Sequence, residues 1–228
     1  MPNQPAPLVV FDLDGTLADT APDLIGTLNV LLAREGLPTM PTHEAGALIG
    51  AGARALISRG FAAAGRELLP ERLDALFEDF LVHYGENICV GTRLFPGVVA
   101  AMDALSADGF RLAVCTNKIE RHSVALLERL AIADRFAAIC GRDTFPWFKP
   151  DPRHLTLTIE AAGGDPARTV MIGDSLTDIA TAKAARVPVV AVPFGYSDRP
   201  VAEYEPDILI DHFDELHGAI ARMMRAAA

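Results

Sequence analysis

The chain has 228 residues, half of them hydrophobic and 22% charged, with a formal net charge of −10. This composition supports a core without disulfide or metal staples and excludes an intrinsically disordered chain. The negative balance opposes non-specific attraction to nucleic acid or an anionic membrane surface.

Three dispersed cysteines, Cys89, Cys115 and Cys140, form no CxxC pair and fit a reducing cytoplasm better than a disulfide framework or zinc site. The opening MPNQPAP has neither the basic start nor the apolar stretch of a signal peptide, and no run approaches the roughly 18 apolar residues of a membrane span. A soluble cytoplasmic protein is expected, with no nucleic-acid or membrane partner.

In chain order, the first element is an apolar run from Leu8 to Phe11 that leads straight into Asp12, Asp14 and Gly15. It is continuous rather than alternating, as expected of a parallel strand covered on both faces. Helical patterns follow. In APDLIGTLNVLLAREGLP, Leu24, Leu28, Leu31 and Leu32 share a face, and Gly36 and Pro38 are stop signals. THEAGALI also reads as helix. ERLDALFEDFLVHYGENI carries Leu73, Leu76, Phe77, Phe80, Leu81 and Tyr84 as one stripe, with His83 beside it in a structural role. No strand is predicted between residues 17 and 91, so this block reads as a helical insertion.

After residue 91, strands and helices alternate. Val98, Met102 and Leu105 predict a helix before a strand from Phe110 to Cys115, and Val124, Leu127 and Leu130 predict one after it. Leu155, Leu157 and Ile159, more loosely spaced, precede a strand from Thr169 to Ile172; Val187 to Val192 is the fourth strand. IARMMRAAA closes the chain as a helix with its arginines near the negative end. The expected fold is α/β, a doubly wound parallel sheet with right-handed crossovers, with core residues 1–16 and 92–228 flanking an α-helical cap at 17–91.

Ligands of such sheets bind at the carboxyl ends of the strands. Asp12 and Asp14 follow the first predicted strand, Thr116 and Asn117 the second, and Asp174 and Asp178, in IGDSLTD, the third. Side chains two apart on an extended segment are roughly 6 to 7 Å apart on one face. Carboxylates gathered there repel strongly unless a cation intervenes. For Asp12 and Asp14 alone, a solvated Asp-Gly turn is the competing explanation. An EF-hand loop is excluded, because Gly15 is fourth from Asp12 rather than sixth, and with few protein ligands Mg²⁺ is preferred to Ca²⁺. Thr116 fits either a helix N-cap or, with Asn117 and backbone N–H groups, a phosphate cradle. Lys149, taken alone, reads as a surface lysine; beside the acidic cluster it would neutralise carboxylate and phosphate.

DLDGT at Asp12 to Thr16, TN at Thr116 and Asn117, Lys149 before Pro150, and GDSLTD from Gly173 to Asp178 together resemble the haloacid dehalogenase superfamily. The resemblance covers nearly the whole chain and includes the position of the helical cap. It implies an aspartyl-phosphate mechanism, with Asp12 as nucleophile, Asp14 as general acid and base, and Mg²⁺ held by the Asp12 carboxylate, the Asp14 backbone carbonyl and Asp174. Thr116 and Lys149 would complete the phosphate cradle, and Asp178 would support the shell rather than bind metal. An aspartate at position 14 favours phosphoester over carbon–halogen or phosphonate chemistry, since an alkoxide leaving group needs a proton.

FDLDGTLADTAPDL, GAGARALI, GRDTFPWFKPDP and FGYSDRPVAEYEPD are most similar to phosphoglycolate phosphatases within that superfamily. Arg142 stands where those proteins usually have glycine, Phe148 where lysine is common, and Arg186 where glycine is usual. The implied substrate is a small phosphorylated metabolite, 2-phosphoglycolate first, then sugar phosphates. A phosphomutase and a non-catalytic phosphate-binding module are the alternatives, and a monomer or homodimer is expected. Gly50 to Ala55 matches the loose dinucleotide pattern GxGxx(G/A), but no βαβ unit surrounds it. It reads better as a cap loop in which Gly52 permits close approach to the substrate and Arg54 either contacts a substrate carboxylate or has a surface role.

Overall fold

The computed structural model describes residues 5–42, 48–50 and 52–226, with side chains described as far as residue 224. The helix predicted over THEAGALI falls largely on residues 43–47, outside the described residues. In chain order the elements are β1 (Leu8–Phe11), β2 (Ala18–Asp19), α1 (Ala21–Arg34), α2 (Ala53–Ala63), α3 (Pro70–Glu86) and β3 (Arg93–Leu94). Then follow α4 (Val98–Ala107), β4 (Arg111–Cys115), α5 (Glu120–Arg129), β5 (Ala138–Cys140), α6 (Pro152–Ala161) and β6 (Thr169–Gly173). The last elements are α7 (Leu176–Ala185), β7 (Val189–Ala191), β8 (Ile208–Leu209) and α8 (Leu216–Ala226).

Six strands form one parallel sheet in the order β5-β4-β1-β6-β7-β8. The four predicted strands are the buried ones at its centre. Alternate side chains of each strand feed separate cores. Val9, Phe11, Val114 and Ile172 join a cluster that continues into α1 and α3, whereas Leu8, Val10, Ala113 and Met171 face α6 and α7. Full burial of each such side chain contributes about 1.5–3 kcal/mol. Two sheet strands, β5 and β8, were not predicted. They are three and two residues long and only partly buried, too short to show a period.

The helical insertion also contains a strand that the sequence pattern did not show. Ala18–Asp19 pairs antiparallel with Arg93–Leu94 where the chain leaves and rejoins the sheet. Asp23, in the first turn of α1, fastens the same two segments. Its carboxylate accepts the N–H groups of Val90 (3.0 Å), Gly91 (2.7 Å) and Thr92 (2.9 Å), and the Thr92 hydroxyl (2.7 Å).

The predicted faces of α1, α3 and α4 are the buried ones, although Leu73 and Phe77 are half-buried. Those of α5 and α6 are rotated. α5 buries His122, Ser123, Leu126 and Leu127, leaving Val124 and Leu130 half-buried. α6 buries His154, Leu155, Thr158 and Ile159, leaving Leu157 half-buried. In both helices polar side chains occupy core positions, which blurs a pattern read from apolar residues alone. His83 lies 3.2 Å from the Thr27 hydroxyl and bridges α3 to α1.

Candidate active site

The site lies at the carboxyl ends of β1, β4 and β6. Beyond β1 the chain stays paired for one more residue, with Asp12 donating its N–H to Ile172 (2.9 Å). It then turns sharply. Thr16, Leu17 and Ala18 all direct their N–H groups at the Leu13 carbonyl. Gly15 adopts φ +83°, and a Cβ there would lie 2.5 Å from Oδ2 of Asp174. Glycine is required both by the left-handed backbone and by this close approach.

That turn meets the end of β6. Thr16 donates its hydroxyl to Asp174 Oδ1 (2.7 Å), and Tyr196 donates its N–H to Asp174 Oδ2 (2.6 Å). Ligand oxygens of Asp12, Asp174 and Asp178 lie within 4.8 Å of one another, and all three residues are buried. Lys149, whose side chain is 1% exposed, pairs with Asp12 at 2.9 Å and Asp178 at 2.6 Å. Asp178 is fully engaged: its other oxygen accepts the N–H groups of Asp174 (3.2 Å) and Ser175 (3.1 Å) and the Ser175 hydroxyl (2.6 Å).

These contacts set the charges. Burial lifts the Asp12 carboxyl to about 6, partly countered by Lys149 and reinforced by Asp178 and Asp14. Burial, then the charges of Asp178 and Asp12, hold Asp174 well above the usual carboxylate range. The Lys149 ammonium is disfavoured by burial, but Asp12 and Asp178 outweigh that and raise it above the ordinary lysine range. Two of the three carboxylates thus share one cation, and Asp174 has no cationic partner among the described residues. An all-oxygen donor set under mutual repulsion fits a hard divalent ion.

Asp14 lies apart from this cluster. Its side chain pairs through both oxygens with Lys118 Nζ (2.9 and 3.0 Å), which also sits 4.5 Å from the centre of the Tyr84 ring. Only the Asp14 backbone carbonyl, not this side chain, was expected at the metal. Thr116 is buried, and its hydroxyl accepts the Lys118 N–H at 3.3 Å. Asn117 donates its side-chain N–H to the Lys149 carbonyl (3.0 Å), tying the loop after β4 to the lysine segment.

Asp12, Asp14, Thr116, Asn117, Gly52 and Arg54 all line one cavity of about 260 Å³ between the sheet edge and the inserted helices. Lys149 and Asp174 are buried behind Asp12. Gly52, at φ +86°, begins α2 and reaches the core: a Cβ there would lie 3.7 Å from the Asn117 carbonyl. Arg54 is already engaged, pairing with Asp74 and stacking 4.2 Å from the centre of the Phe77 ring. Sequence reasoning missed Lys118 and Tyr196, and noted the lining residue Arg142 only as a departure from the family pattern. Lys118 follows the TN pair directly, and that adjacency was the available signal.

Residues 9–192 match the model of the haloacid dehalogenase-like hydrolase family. The chain is 51% identical to phosphoglycolate phosphatase of Mesorhizobium japonicum, over 97% of this chain and 98% of that one. It is 47% identical to the Agrobacterium fabrum protein of the same name, over 94% of this chain and 92% of that one. A crystal structure of a predicted phosphoglycolate phosphatase from Haemophilus somnus superimposes with a TM-score of 0.86 at 32% identity, covering 94% of this chain and 97% of that one. Both curated relatives are, by name, phosphoric monoester hydrolases. On this match of sequence and fold, the chain belongs to the haloacid dehalogenase-like hydrolase family.

Proposed function

We propose that this enzyme is a Mg²⁺-dependent phosphatase that hydrolyses 2-phosphoglycolate through an aspartyl-phosphate intermediate. The observation that carries the reading is the convergence of Asp12, Asp174 and Lys149 behind a cavity that Asp14 also lines. An Asp12 oxygen attacks phosphorus, forming an O–P bond as the bond to the alkoxide breaks. Asp14 gives its proton to that alkoxide. It then takes a proton from the attacking water while the Asp12–phosphorus bond breaks, releasing inorganic phosphate and restoring both carboxyl groups.

Lys149 and Thr116 hold the phosphoryl oxygens, and Lys118 orients Asp14 by gripping both of its oxygens. The Asp12 and Asp174 carboxylates and the Asp14 backbone carbonyl would hold Mg²⁺, which when bound neutralises charge building on the phosphoryl group. The inserted helices, residues 17–91, act as the cap that excludes water. Phosphoglycolate as substrate is supported by the names of the relatives and by the cations lining the cavity.

A panel of phosphorylated metabolites ranked by kcat/KM with and without Mg²⁺ tests this reading. 2-Phosphoglycolate should lead, and chelation should abolish turnover. Asp12→Asn should melt no lower than wild type yet lose at least about 10³-fold in kcat. Residual wild-type turnover in that variant overturns the nucleophile assignment. A sugar phosphate at the head of the ranking replaces the substrate while leaving the chemistry in place, and conversion of an ester to its isomer without phosphate release identifies a mutase.

A further inference from the structure

The cations around the cavity are not equivalent. Lys118 is neutralised by Asp14, Lys149 behind the floor by Asp12 and Asp178, and Arg54 by Asp74. Arg142 lines the same cavity without an acidic partner among the described residues. Its guanidinium carbon lies over the Phe148 ring, 3.5 Å from the centroid. Stacking occupies the face of the guanidinium and leaves its N–H edges for an in-plane acceptor.

The backbone fixes this residue in place. Arg142 donates its N–H to the Lys118 carbonyl at 2.9 Å. Gly141, immediately before it, packs so tightly that a Cβ would lie 2.3 Å from the Glu120 nitrogen. The guanidinium is thereby held at the seam between the sheet edge and the insertion. A Cβ on Gly52 would lie 3.9 Å from Nη1 of Arg142 and 3.7 Å from the Asn117 carbonyl. Burial, and then the charge of Arg54, disfavour the cationic form of Arg142 and lower its pKa. The protein alone leaves this positive charge uncompensated, and an anion supplied by the ligand would relieve it.

We propose that Arg142, braced on Phe148, binds the carboxylate of the phosphorylated substrate and sets the preference for acidic phosphomonoesters. Arg54, held by Asp74 and Phe77, is not that partner. A planar fork of two N–H groups matches a carboxylate in a way that an ammonium does not. This inference rests on the phosphoglycolate reading above.

The test compares kcat/KM on 2-phosphoglycolate and on 2-hydroxyethyl phosphate, which replaces the carboxylate by a neutral group of similar reach. Wild type should prefer the acid. Arg142→Ala should lose about 10- to 100-fold on 2-phosphoglycolate, chiefly through KM, and less than about threefold on 2-hydroxyethyl phosphate. Arg142→Lys should retain part of the preference, and Phe148→Ala, which keeps the charge but removes its platform, should lower it by about three- to tenfold. Arg54→Ala should leave the ratio within about threefold of wild type.

An Arg142→Ala enzyme with the wild-type ratio overturns the proposal while the substrate reading stands. Equal losses on both esters, or loss of the ratio in Arg54→Ala instead, also overturn it. If Arg142→Ala fails to fold, an unchanged ratio in both Arg142→Lys and Phe148→Ala is decisive against it. A wild-type enzyme indifferent to the two esters removes the phosphoglycolate reading, and this proposal with it.

Discussion

Replacing Lys149 with methionine keeps the length of the side chain and removes the cation that Asp12 and Asp178 share. At an effective dielectric near 20, attractions at 2.9 Å to Asp12 and 2.6 Å to Asp178 are each about 6 kcal/mol before desolvation is counted. The carboxylates left behind, within 4.8 Å of one another, repel by at least about 3.5 kcal/mol per pair on the same scale. Protonation of one acid relieves part of this. The net loss should therefore match other broken buried ion pairs, about 3–5 kcal/mol, a large share of a typical domain's stability.

Urea unfolding at pH 7.5 measures this directly, in chelator and in Mg²⁺. The deficit of Lys149→Met should be full in chelator and shrink with Mg²⁺, which takes over the compensation. Adding Asp178→Asn should recover more than half of the loss, because the unpaired charge goes with it. Activity should stay low in the double variant if, as proposed, Lys149 also holds the phosphoryl group. A deficit under about 1 kcal/mol, or a double variant no more stable than the single one, would refute charge compensation as the role of this lysine.

Two further outcomes follow from the same geometry. Gly15→Ala combines a left-handed backbone with a Cβ driven against Asp174, so stability should fall by about 1–3 kcal/mol and the melting temperature by about 3–10 °C; a wild-type melt with wild-type Mg²⁺ affinity would contradict it. His154 is fully buried, accepting the Lys149 N–H (3.3 Å) at Nδ1, with Nε2 3.1 Å from the Gly141 carbonyl. Burial, with help from the Lys149 charge, lowers its pKa from 6.5 to about 4, so between those values the unfolded chain takes up a proton that the folded one refuses. The contribution of His154 to stability should be intact above about pH 6.5 and fall by about 3 kcal/mol as pH drops towards 4, against the opposite trend from the raised Asp12 carboxyl. His154→Gln should flatten that part of the pH profile, seen as a smaller drop in melting temperature between pH 7 and 5.

The sheet centre was legible because β1, β4, β6 and β7 are covered on both faces, which forces continuous apolar runs. The acids after β1 and β6 were legible because charges ending such runs need a reason. β5 and β8, at the sheet edges, lack that covering and left no pattern. The partners of Asp14 and Asp174 were hidden for another reason. Lys118 meets Asp14 from 104 residues away, and Tyr196 meets Asp174 from the loop after β7, so no local spacing records either contact. Arg142 and Phe148 were noticed only as separate departures from a familiar pattern. Their stacking makes them one feature.

The place of β1 in the sheet carries a consequence for biosynthesis. Leu8 opposes Arg111 on one side and Thr169 on the other, so this segment, translated before both, finds neither neighbour until much of the later polypeptide has left the ribosome. Meanwhile the α1–α3 region, rich in local contacts, can consolidate early. An apolar peptide leading into Asp12 waits uncovered in the nascent chain, where chaperone engagement would concentrate.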